Sequence, residues 1–136
     1  MLTIAYAWFS ANWQYAGFVA GLFLLALVPL VAGVWGLGLL LVYLLLPIYM
    51  VHQLEEHAGD RFHRFVNIHL GHGRDVLTSD AIVVINIGLV WIVCLVALYL
   101  ARFVDLGLGL IVVYLVLVNA LVHILGAARQ RAYNPG

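Results

Sequence analysis

His52, Glu55 and Glu56 stand at i, i+3 and i+4 within the stretch MVHQLEEH, residues 50–57. At about 100° per residue, these side chains share an arc of about 100° on one helix face. An imidazole and two carboxylates at that spacing bind metals in four-helix bundles. A second imidazole, His123, and an amide, Asn119, lie one turn apart near the other end of the chain. Imidazole with hard oxygen donors suits Zn, Mn or Fe(II). Two histidines and one carboxylate leave open positions for water or substrate. The expected metal ligands are therefore His52, Glu56 and His123. Glu55, offset by one residue from Glu56, is the expected general base or bridging carboxylate. Asn119 is expected to orient a ligand or to donate to an oxyanion.

Composition decides what must hold these groups. Of 136 residues, 66% are hydrophobic and 9% charged, and the mean hydropathy is +1.12. A soluble domain carries about 25% charged residues, so most of this chain cannot face water. Six arginines and no lysine balance six acids, which argues against a nucleic acid or other polyanionic partner. The lone cysteine, Cys94, permits neither an intrachain disulfide nor a cysteine-rich zinc site.

The expected fold class is all-α: a single polytopic transmembrane helical bundle over residues 1–136, with about four spans near 14–32, 35–57, 80–101 and 106–128. A span needs about 20 apolar residues. The first two form one continuous hydropathy peak, divided at Pro29, Gly33, Gly36 and Gly38 because a single helix of that length would be about twice the hydrocarbon thickness. Trp8, Phe9, Trp13 and Tyr15 read as an interfacial aromatic belt before the first span. The N-terminus lacks the basic residues of a cleaved signal peptide. Gly17 and Gly21 form a small-residue packing face within the bundle. Pro47 is expected to kink the second helix one turn before His52. Phe62, Phe65, Val66 and His69 fall at i, i+3, i+4 and i+7, the pattern of a short interfacial helix. Thr78-Ser79-Asp80 offers an N-cap for the third span. Arg61, Arg64, Arg74, Arg129 and Arg131 fall on one side of a four-span bundle and Arg102 on the other, which puts both termini in the cytoplasm.

Depth brings the polar residues together. His52, Asn86 and His123 each lie about six residues inside the same border, roughly 9 Å deep. Polar groups at that depth are costly unless partnered, and by default they mark function. His57 points about 140° away from His52 and is assigned to the interface. Asn86 reads as structural. His69 and His72 read as solvated residues of a flexible, glycine-containing loop. Gly59 is expected to stop the helix before Asp60 and His63 can join the His52 face. The metalloprotease pattern H-E-x-x-H is absent, the inverted H-x-x-E-H fails because Glu56 stands where His is needed, and the multi-histidine boxes of membrane desaturases are missing.

The segment H-Q-L-E-E, residues 52–56, resembles the HXXEE family of small bacterial integral membrane proteins, named for this motif. N-A-L-V-H, residues 119–123, is similar to an N-x-x-x-H segment in a later helix of that family. R-A-Y-N-P-G, residues 131–136, is similar to its aromatic-x-Pro-Gly turn. The resemblance implies a helical membrane fold and brings no assigned activity. It also implies a further hydrophobic segment, a fifth helix, beyond Gly136.

Three functional classes follow. The leading one is a site near the cytoplasmic face of a bacterial inner membrane that binds a divalent metal (Zn, Fe or Mn), with possible catalysis on a lipidic substrate. The second is a metal-free acid–base site, an isomerase or proton relay. The polar residues do not continue toward the far side, which argues against a channel or pump. The third is a structural or assembly protein whose polar cluster ties helices together.

Overall fold

The computed structural model describes residues 2–131 and 133–136. Helix α1 spans Leu2–Ala26 and is followed by a short α2, Val28–Ala32. Helix α3 spans Leu37–His57 and α4 spans Arg61–His69. Helix α5, Ser79–Val83, runs through a π-helical segment, Val84–Trp91, into α6, Ile92–Phe103. A 3-10 turn, Leu106–Gly109, leads into α7, Leu110–Gln130. Four helical runs are long and apolar enough to cross a membrane: Thr3–Ala32, Leu37–His69, Ser79–Phe103 and Leu106–Gln130. The chain is an all-α bundle of the expected kind.

The first helix begins at Leu2 rather than near Gln14. No breaker interrupts residues 2–13, and the Asn12 amide bonds back to the Trp8 carbonyl at 2.8 Å. Trp13 is no belt residue either: it is 2% exposed, with its ring against those of His57 and Trp91. The chain breaks where Pro29 and the glycines predict, and α3 restarts after Gly36 in extended backbone. Pro47 lies inside α3.

The third long helix is not regular throughout. Asn86 donates its side-chain amide to the Ile82 carbonyl at 2.9 Å. In a regular α-helix that carbonyl accepts from the Asn86 backbone N–H. A side chain competing for an i−4 carbonyl disturbs the ladder, and the helix passes residues 84–91 in π form.

Where the chain leaves α3, Gly59 (φ +66°) and Asp60 (φ +63°) adopt left-handed backbone. Arg61 and Arg64 reach back to the freed carbonyls: Arg61 to Glu55 at 2.9 Å and Arg64 to Gly59 at 2.6 Å. These cations satisfy groups that every helix C-terminus leaves open. The loop after α4 is pinned rather than loose. The Asn67 carboxamide accepts from the backbone N–H groups of Val76 and Leu77 and donates to Asp75. His63 sits between Asp60 and Asp75 at 3.0 and 3.2 Å, away from His52 as expected. The Thr78 hydroxyl caps α5 by accepting from Ala81 N–H.

Between α3, α6 and α7 the core contains Val42, Cys94, Ala97, Ala101 and Val112. Small side chains there let the helices close on one another, as membrane bundles require. Gly17 abuts Trp91, and Gly21 abuts Met50 and the Pro47 carbonyl, so this face packs within the bundle. Gly109 is tighter still: a Cβ there would stand 2.5 Å from Val42 Cγ2, whereas Gly33 has open space. Gly109→Ala should destabilise the fold by about 1–3 kcal/mol through overpacking, and Gly33→Ala should stay within about 0.5 kcal/mol of wild type. Thermal unfolding in detergent, followed by circular dichroism, checks the pair; equal midpoints would refute the close approach.

Candidate functional site

Glu56 is 4% exposed and three imidazoles surround it. His52 Nε2 is 3.8 Å from its Oε2, His57 Nε2 is 3.2 Å from the same oxygen, and His123 Nε2 is 3.5 Å from Oε1. The His52 and His123 rings lie 6.2 Å apart. The sequence-derived trio His52, Glu56 and His123 is thus brought together from α3 and α7.

His57 corrects the sequence reading. It is 6% exposed, not interfacial, and lies between Trp13 and Phe62 as well as against Glu56. Two further residues at the site were missed or undervalued. Gln53, wholly buried, accepts from the Trp91 indole N–H at 2.7 Å and donates to Asn86 Oδ1 at 2.7 Å. Asn86 in turn faces His57 Nε2 with its amide nitrogen at 3.4 Å. The sequence reading assigns Gln53 no role; its signal was a carboxamide next to His52, at the same depth.

Bonding direction along this chain is determined at both ends. The indole can only donate and the Ile82 carbonyl can only accept. Gln53 must therefore present its oxygen to Trp91, and Asn86 its NH2 to Ile82 and to His57. His57 Nε2 is then an acceptor, and its proton sits on Nδ1. His123 is set similarly: Asn134 donates to the His123 carbonyl at 3.4 Å and presents Oδ1 to His123 Nδ1 at 3.3 Å. Nε2 of His123 is left bare toward Glu56.

Lone pairs therefore converge. The unprotonated nitrogens of His57, which accepts from Asn86, and of His123 face the two oxygens of a buried carboxylate. Glu56 Oε2 and His52 Nε2 are both buried without a hydrogen-bond partner. Such an arrangement requires a proton or a cation between the atoms. Among the described residues, no group of three or more His, Cys, Asp or Glu side chains is arranged as it stands to hold a metal ion.

Glu55 lies apart from this cluster. Arg61 Nη1 is 3.4 Å from its Oε1, the Tyr133 hydroxyl donates to the same oxygen, and the Gly136 N–H donates to Oε2 at 3.0 Å. It clasps the C-terminal segment rather than facing the imidazoles. That segment runs over His123, with Gly136 (φ +105°) so close that a Cβ would stand 2.5 Å from the ring. Asn119 does not join the Glu56 cluster; it lines a cavity of about 290 Å³ with Tyr49 and His52. His69 and His72 are exposed. His57 also lines a cavity of about 270 Å³ with Ser10, Gln14, Asp60, His63 and Ser79.

Fold and site together define a helical integral membrane protein with a buried carboxylate–imidazole cluster at one end of its bundle. Residues 43–136 match the family described as a protein of unknown function with an HXXEE motif, and the chain belongs to that family. The motif residues are His52, Glu55 and Glu56. Comparison with curated proteins and with solved structures finds no match.

Nitrogen NMR of histidine-labelled protein should show His57 and His123 with the proton on Nδ1. Asn134→Ala should release His123 from that tautomer and leave His57 unchanged. Gln53→Leu should destabilise the fold by about 1–3 kcal/mol, because the Trp91 N–H and Asn86 Oδ1 lose their partner. If both variants match wild type in spectrum and unfolding midpoint, the network does not set the tautomers.

Proposed function

We propose that the Glu56 cluster binds a divalent metal ion, Zn, Fe or Mn, and uses it on a lipidic substrate at the membrane face. The observation that carries this reading is the convergence of bare imidazole nitrogens on a buried carboxylate. His52, Glu56 and His123 are the ligands. A tetrahedral ion with bonds of about 2.0–2.1 Å holds its donors about 3.3 Å apart. His123 Nε2 and His52 Nε2 stand 3.5 and 3.8 Å from different oxygens of Glu56, and their rings are 6.2 Å apart, so binding one ion requires the two imidazoles to draw together. The Asn134 oxygen on His123 Nδ1 is the outer-layer partner that metal-ligating histidines require. When bound, the ion would polarise a water or a carbonyl oxygen.

The protein's own groups complete the chemistry. His57 Nε2, 3.2 Å from Glu56 Oε2, can take a proton from a water beside the carboxylate once the Asn86 amide that bonds to it moves aside, and the cavity that His57 lines supplies a route to solvent. His57 therefore takes the base role that the sequence suggested for Glu55, whose oxygens are occupied by Tyr133, Gly136 and Arg61. Asn119 orients the substrate from the adjoining cavity. The arginine distribution favours an N-terminus in the cytoplasm, and the resemblance to small bacterial membrane proteins implies a bacterial inner membrane. A second reading is favoured by the lack of a preformed three-ligand group among the described residues: protons shared among Glu56 and the imidazoles, serving metal-free acid–base chemistry.

Metal content by mass spectrometry separates the two. Wild type and His52→Ala/His123→Ala are purified in detergent without chelator or a histidine tag. Near-stoichiometric metal in wild type, absent from the double variant, is expected. Folded wild-type protein that holds no metal would overturn the first reading and favour the second. Asn134→Ala should weaken metal affinity about 10–100-fold while leaving the ligands in place, measured by competition with a chelating dye.

A further inference from the structure

We infer that the groove between α3 and α7 binds a single-chain acyl lipid with an uncharged, oxygenated head such as an ester. The inference rests on the proposed site only for the position of that head. The cavity that Asn119 shares with Tyr49 and His52 has a volume of about 290 Å³. A larger one, about 650 Å³, continues it along the same two helices, and Leu45 and Ile48 line both. On α3 this path runs from His52 to Gly38, roughly 20 Å along the axis. That is about two thirds of a hydrocarbon core near 30 Å thick.

Chemistry along the groove is graded. The larger cavity is walled by aliphatic residues and glycines, among them Leu41, Leu44, Leu110 and Val113. Tyr49, His52 and Asn119 gather at the other end. His52 Nε2 there is buried and has no hydrogen-bond partner. No Asp, Glu, Lys or Arg lines either cavity, so the lining side chains offer a phosphate head no countercharge of their own. An ester or alcohol needs none, and the Asn119 amide can donate to its oxygen. A water-sized group takes about 30 Å³; the two volumes suit one long chain with a compact head. The occupant lies with its chain toward Gly38 and its head beside Glu56.

A long-chain fatty acid methyl ester carrying a chain diazirine is the probe. It is added to the full chain in lipid nanodiscs, photolysed, and the labelled residues are mapped by mass spectrometry. Labels are expected on the facing sides of α3 and α7, at Leu45, Ile48, Val113 and Val116. Ala120→Trp, at the polar end, should reduce them roughly tenfold, as loss of a few buried methylene contacts implies. Ile48→Trp, at a side chain already 54% exposed, should do the same without entering the core. Ile92→Trp, on lipid-facing α6, should leave labelling unchanged. Labels spread evenly over all lipid-facing helices, or unaltered in both groove variants while helicity is retained, would overturn the inference. Metal is measured in the same samples. Groove labelling without metal overturns the metal reading alone; metal with diffuse labelling overturns the groove alone.

Discussion

A carboxylate held among bare imidazole nitrogens, inside a bundle that lipid surrounds, is the constraint on which the rest of the structure turns. Removing a charged group from water incurs an effective penalty of several kcal/mol even after relaxation. Glu56 sits in that environment with neither oxygen paired to a fixed cation. What surrounds it serves to hold this arrangement. Trp13 and Phe62 flank His57 and exclude water from two sides. The Trp91–Gln53–Asn86 chain sets which nitrogen of His57 is bare, and the C-terminal segment does the same for His123 through Asn134. Even the π-helical stretch follows, because the amide that points at His57 also takes the Ile82 carbonyl. π-Segments within α-helices occur frequently at functional sites.

Much of this was legible in the residues themselves. Long uncharged runs gave the helices, and proline and glycine gave the break between the first two. Thr78, Gly59 and the arginines after it act at helix ends as their chemistry requires. The meeting of His52 and Glu56 with His123 followed from depth alone: side chains equally far from one border, on neighbouring helices, are within reach. What failed was direction. A helical wheel measures angles about one axis and says nothing of what packs on each side. His57 pointed away from His52 and so was placed at the surface, but Trp13 and Asn86 cover that side. Trp13 misled for the same reason, since an aromatic near a span end resembles a belt until a histidine is found against it. Glu55 was paired with Glu56 by adjacency, and two of its three partners, Tyr133 and Gly136, come from a segment about 80 residues further along the chain, a separation that no local pattern encodes.

The spacing H-x-x-E-E makes physical sense once these directions are known. Taking His52 as zero, Glu56 points at about 40°, Gln53 at about 100°, His57 at about 140° and Glu55 at about −60° on an ideal helix. One turn and a half of α3 therefore fans out over four neighbours. Gln53 and His57 face the π-segment and α1, His52 and Glu56 face α7, and Glu55 faces the C-terminal segment. The two glutamates are consecutive because one must be buried and the other must not. A change of register by one residue would put a clasp in the core and the central carboxylate at the surface. For the same reason the exposed carboxylate is no spare copy of the buried one. Glu55 closes the segment that orients His123, so its influence reaches Glu56 through Gly136, Asn134 and the imidazole between them. The motif reads as one site and the frame that holds it, written on adjacent positions of a single helix.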